Sequence, residues 1–130
     1  MSQHAPPPRR CTVNRPNLPR GRAGLVALEL AVHLATSVAE LPLPRGLAHL
    51  KDHLTRAADN TVLRISEASG RTLGNRRQHL EAAYAENQEV QSDLLLLRSR
   101  GVPVQVAVVA EADRVGGLVY GLLRAEDSGV

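Results

Sequence analysis

The stretch "GLAHLKDHLTRAADNTVLRISEASG", residues 46–70, decides the fold. Leu47, Leu50, Leu54, Ala57, Thr61, Ile65 and Ala68 recur in it at steps of three and four. That spacing puts them on one face of an α-helix, so it predicts a helix from about Gly46 to Ser69. Gly70 stands where a C-terminal cap belongs, since glycine takes the left-handed conformation without steric cost.

Reading outward on both sides gives three more segments of the same kind. From about Ala23 to Leu41, the residues Ala27, Leu30, Leu34, Val38 and Leu41 share a face, and "LPLPRG" stops the pattern. From about Asn75 to Arg100, a seven-residue repeat carries Leu80, Ala83, Asn87, Val90, Leu94 and Leu97, with Asn87 as its one polar intruder; Gly101 and Pro103 end it. The last segment, about Val104 to Arg124, opens on "VPVQVAVVA", whose β-branched alternation is also compatible with a strand. Val108, Ala112, Val115, Val119 and Leu122 continue at helical spacing, which favours a helix there too. Short connections make neighbouring helices antiparallel, and four of them close an all-α, antiparallel up-down bundle.

Composition agrees with this class. A chain of 130 residues fits one domain. With no Phe, no Trp and two tyrosines, its core has to be built from Leu, Val and Ala, which suits helices packed closely on small residues. The first 22 residues hold five prolines and no apolar periodicity, so they are expected to form a disordered or extended arm, with the bundle over 23–125 and a short tail over 126–130. The lone Cys11 cannot form an internal bridge, and no signal-type apolar stretch or uninterrupted bilayer-length run is present, so a cytoplasmic protein without membrane insertion is expected.

Charge is unevenly placed. The whole chain is +3, and residues 1–24 carry Arg9, Arg10, Arg15, Arg20 and Arg22 with no acid, leaving −2 for the rest. Inside the body, Arg64, Arg71, Arg76 and Arg77 stand against Glu67 alone around "ISEASGRTLGNRRQHL", residues 65–80. That junction lacks the spacing and the lysine of a Walker phosphate loop. Two readings stay open for it: a plain helix turn, with Thr72 or Asn75 capping the next helix, or a turn that also presents an anion-binding arginine cluster.

Other polar groups support no chemistry of their own. His49 and His53 fall four apart on one face beside Asp52, a spacing able to hold a transition metal, but no third ligand is spaced to join them. They read as a solvated face, as do His33 and His79. Glu67 and Glu89 lack the Glu-x-x-His pattern of a di-metal bundle, and pairing with Arg56 or Arg71, within the bundle or between subunits, accounts for them better. Neither a Ser-His-Asp nor a Cys-His set can be assembled. The chain is expected to have no catalytic activity, no metal and no cofactor.

The segments "LELAVHLATSVAELP", "HLTRAADNTVLRISEASGR" and "HLEAAYAENQEVQSDLLLL" together resemble the small bacterial four-helix-bundle proteins encoded by ribosomal-RNA intervening sequences. One branch of that family is the accessory variability protein of diversity-generating retroelements. The marks are Arg56-Ala57-Ala58, Ile65, Glu67, Gly70-Arg71, Leu80, Ala83, Glu89 and the leucines from Leu94, spread from about Gly24 to Leu123. "EADRVGGLVYGLL", with Glu111, Arg114, Val115 and Gly117, is similar to the last helix of the accessory branch. The resemblance implies a homopentamer whose basic surface binds RNA or DNA and a reverse transcriptase. Arg64, Arg71, Arg76, Arg77 and the arm arginines would then contact nucleic acid, while Arg56, Glu67, Asn87, Glu89 and Arg114 would be structural or interface groups. Where that branch tends to carry arginines along its third helix, Gln91 and Leu95 stand here, and Asp93 adds a negative charge.

Overall fold

The computed structural model describes residues 19, 21–70 and 73–127. They form four helices, α1 (Arg22–Ala39), α2 (Ala48–Ala68), α3 (Leu73–Ser99) and α4 (Val106–Asp127), with a 3₁₀ turn at Arg45–Leu47 leading into α2. No strand occurs among the described residues. Each helix packs on the next in sequence, and α4 closes the ring against α1. Cross-links at both ends fix the direction: Lys51 Nζ, early in α2, donates to the Leu41 carbonyl just past α1 at 2.7 Å, and Arg76, early in α3, pairs with Glu126 near the end of α4. The protein is an antiparallel up-down four-helix bundle.

The helical repeats read from the sequence are the buried faces. Leu34, Val38, Leu54, Ile65, Val90, Leu94, Leu97, Val115 and Val119 are fully buried. Between them Ala27, Ala31, Ala57, Ala58, Ala83 and Ala112 are nearly inaccessible. Small side chains at the seams let helix axes approach, so aliphatic side chains fill the interior at close packing without any Phe or Trp. Leu30, Leu47, Val108 and Leu122 pack at the margin of this core. The helix α1 is long and apolar enough, by composition, to cross a membrane, yet its residues Ala27, Ala31, Leu34 and Val38 form part of the core.

Helix ends depart from the sequence reading for local reasons. The first helix stops at Ala39 rather than Leu41, because Pro42 disfavours the helical conformation at Leu41, whose amide instead reaches Val38 in a tightened last turn at 3.1 Å. Gly46 and Leu47 belong to the 3₁₀ turn, with the Leu47 amide donating to Pro44 at 2.9 Å. At the other end of α2, Gly70 closes a tight turn through its amide to Glu67. The left-handed glycine among the described residues is Gly101, at φ 84°. It ends α3 in a Schellman motif: the Val102 amide donates to Leu97 and the Gly101 amide to Arg98, while Val102 and Leu97 are both buried. Asn75 lies inside α3 and does not cap it, and Thr72 is outside the described residues. The Val-rich alternation is helical from Val106, and α4 runs on through Glu126 and Asp127.

Candidate nucleic-acid interface

The up-down topology brings two separate basic segments of sequence to one end of the bundle. Pro19, Gly21 and Gly24, at the entry to α1, line a cavity of about 460 Å³ together with Gly70, Arg76 and Glu126. Its floor is apolar, made by Ile65, Leu80 and Leu122. Gly24 is needed there, because a Cβ on it would stand 2.7 Å from the Pro19 Cβ. The base of the Arg-rich arm is thus folded over the first turn of α1, beside the junction between α2 and α3. Arg22, the first residue of α1, is exposed at this end. Arg9, Arg10, Arg15, Arg20 and Arg71 lie outside the described residues.

The junction arginines that are described all carry acidic partners. Arg64 sits 3.4 Å from Glu67 one turn along, and the imidazole of His79 approaches the same carboxylate at 3.3 Å from α3. Arg76 reaches Glu126 at 3.3 Å across the α3–α4 seam. Arg77 binds Glu81 at 3.2 Å and also Asp127. The local excess of +3 in the sequence is therefore largely offset by acids brought in by the fold. Glu126 and Asp127 stand about 50 residues away in sequence, beyond the last apolar repeat, and no spacing rule connects them to Arg76 and Arg77. Phosphate arriving here competes with carboxylates already in place, whereas the arm carries no acid at all.

The remaining polar residues hold seams together. On the α2–α3 seam, His53 lies between two carboxylates of α3, with Nδ1 2.5 Å from Asp93 and Nε2 3.4 Å from Glu89. The hydrogen bond and charge of Asp93, assisted by Glu89 and opposed by Arg56, raise the His53 pKa above its ordinary value near 6.5. Asp93 is only 5% exposed, so the imidazole is what compensates an otherwise isolated carboxylate. The two acids engage opposite ring nitrogens and do not converge on one point, and no group of three ligating side chains is found among the described residues. His33 likewise is no isolated surface histidine: its Nδ1 lies 2.7 and 2.9 Å from the Glu111 carboxylate oxygens, joining α1 to α4. Glu67 and Glu89 thus take histidine partners, alongside Arg64 for Glu67, while Arg56 and Arg114 are exposed.

The third polar cluster is buried. Asn87 is fully enclosed, donates through Nδ2 to the Ala112 carbonyl of α4 at 3.0 Å, and accepts from Gln91 Nε2 at 2.6 Å. Gly116 makes this possible, since its missing side chain is the space the Asn87 amide occupies. The two tyrosines, Tyr84 and Tyr120, pack on each other across the α3–α4 seam with ring centroids 5.9 Å apart and planes tilted by 45°.

Comparison with protein-family models, with curated proteins and with solved structures finds no match to the chain.

Proposed function

We propose that this chain is a non-catalytic, self-associating four-helix bundle that binds nucleic acid through its arm-bearing end. In this reading it serves as an accessory protein to a reverse transcriptase, in the manner of the accessory variability protein of diversity-generating retroelements. The observation that supports the proposal is the meeting of Pro19, Gly21 and Gly24 with Gly70 and Arg76 around one cavity at the end of the bundle. The sequence before α1 carries five arginines and no acid, its described base at Pro19 and Gly21 lies beside the α2–α3 junction, and self-association would multiply that charge on one particle. Sequence-independent phosphate contact is the mode such a surface supports, as it has neither an aromatic platform nor a groove-reading element.

A second reading has its own support. Because Arg64, Arg76 and Arg77 are engaged by carboxylates, the described part of the α2–α3 junction contributes little uncompensated positive charge, which suits a structural or protein-interaction module whose arm is a tether. The salt dependence of binding to a mixed single-stranded RNA separates the two. Each phosphate contact contributes about 0.7 to the slope of log K against log salt on single strands. Deleting residues 1–22, with its five arginines, should reduce that slope by up to about 3.5 units. Replacing Arg71, Arg76 and Arg77 by alanine together should change it less, in keeping with the carboxylates that pair with Arg76 and Arg77. RNA binding that is absent in the full chain, or untouched by loss of the arm, would favour the second reading.

A further inference from the structure

The cavity of about 460 Å³ at the arm-bearing end has the size of a small-molecule site, since ligand pockets run from about 300 to 1,000 Å³. All four helices contribute to its walls, so its shape is set by the packed bundle rather than by one loop. The floor of Ile65, Leu80 and Leu122 is aliphatic, and Ile65 is only 1% exposed. Phosphate contact, which the arm supplies, gives that floor no role.

One ion pair lines the same cavity, and its geometry is incomplete. Glu126 is 12% exposed, and its Oε2 takes a contact of 3.3 Å from Arg76 Nη1, while its Oε1 has no hydrogen bond among the described residues. A carboxylate so far withdrawn from water and held by one long bond lacks a donor. Ser69, which also lines the cavity, does not supply it, because its hydroxyl donates to the Ile65 carbonyl at 3.2 Å. The Arg76 guanidinium carries several donors in a fixed fork, enough to hold a second carboxylate alongside Glu126. A ligand of one sign would be attracted by one member of this pair and repelled by the other, only 3.3 Å away. A ligand that carries both signs close together meets an opposite charge with each.

We propose that this cavity binds a free α-amino acid with a large apolar side chain, its carboxylate on Arg76, its ammonium on Glu126 and its side chain on Ile65, Leu80 and Leu122. An α-amino acid bears both charges on one carbon, which is the close spacing that the Arg76–Glu126 pair presents. The ammonium supplies the donor that Glu126 Oε1 lacks. Burial of the side chain separates leucine from glycine, and the paired charges fix its orientation. The site is independent of the nucleic-acid reading. Because Pro19 and Gly21 form part of the wall, a bound amino acid would also hold the root of the arm against the bundle.

Calorimetric titration of the full chain with L-leucine, into the millimolar range, tests the site alongside three analogues that each remove one contact. Glycine lacks the side chain, isocaproate the amino group and isoamylamine the carboxylate. The expected result is one leucine per chain, bound at least about tenfold more tightly than any of the three, because each loses either a charge-assisted hydrogen bond or the buried apolar surface. E126Q keeps the shape of the side chain and removes its charge, and should weaken leucine binding at least about tenfold, with far-UV circular dichroism confirming that the variant is folded. The analogues need no variant, so they decide the ligand chemistry even if E126Q does not fold. Isocaproate or isoamylamine binding as tightly as leucine would overturn the zwitterion in favour of an amphipathic anion or cation. Leucine binding that survives in folded E126Q would overturn the placement, and no leucine binding at all would overturn the site itself. RNA binding, measured on the same preparation, decides the nucleic-acid reading separately.

Discussion

Replacing Gly116 by alanine should destabilise the bundle, although alanine is the better helix former at an interior position. On propensity alone the change is worth about 1 kcal/mol in favour of alanine. Against it, the new Cβ would stand 2.5 Å from Asn87 Oδ1 and 3.0 Å from Gln91 Nε2, where Asn87 is 0% exposed and is held by its bond to Ala112. Displacing that amide breaks its bond to the Ala112 carbonyl and leaves a buried polar group unsatisfied, about 1–3 kcal/mol, and crowding in a packed interior adds about 1–3 kcal/mol. The net expectation is a loss of about 1–5 kcal/mol. Gly117 and Gly121 serve as controls, since a Cβ at either meets nothing within 4 Å. Gly117→Ala should therefore stabilise by up to about 1 kcal/mol.

Urea unfolding followed by far-UV circular dichroism reads all of these on one scale. Combining Gly116→Ala with Asn87→Ala removes the clash, so the glycine change should then cost much less, a coupling of at least about 1 kcal/mol between the two sites. If Gly116→Ala stabilised the protein as much as Gly117→Ala, the Asn87 amide could not be lodged against Gly116 and the packing described for this seam would be wrong.

The His53 cluster should make stability depend on pH in a stated direction. Its folded pKa is raised, so its contribution is fully present below about pH 6.5 and is lost as pH rises through the raised value. The stability difference between wild type and His53→Gln should be about 0.2–1 kcal/mol in mild acid and fall toward zero in alkali, because the ring is half exposed. A difference that grew with pH would contradict the pairing with Asp93. Leu54→Ala, at a fully buried position facing the core, should cost about 2–5 kcal/mol in the same urea assay. Arg77→Ala removes partly exposed pairs to Glu81 and Asp127 and should cost less than about 1 kcal/mol, with amide exchange rising in the last turn of α4.

The fold was legible because each helix carries its own apolar repeat, and Leu80, Ala83, Val90, Leu94 and Leu97 are buried as that repeat requires. Asn87 could be recognised as the odd member of its heptad, but its role depends on Gly116 and Ala112 in another helix, which no local spacing connects to it. Histidines were the least readable residues. His33, His53 and His79 each face a carboxylate donated by a neighbouring helix, and the partner follows from axial register, a tertiary quantity. For the same reason Arg76 and Arg77 read as a basic cluster in one dimension and as paired charges in three. Gly70 and Gly101 both stand just past helical repeats, and only the Schellman closure at Val102 distinguishes the left-handed one.

Light scattering after size-exclusion chromatography, with and without a mixed RNA and at two salt concentrations, bears most directly on the proposed role. An assembly larger than one chain that gains RNA mass at low salt and sheds it at high salt is the expected result, since the arm arginines act through screened phosphate contacts. A monomer, or an assembly whose mass is unmoved by RNA at both salts, would contradict it and leave the bundle as a protein-interaction module.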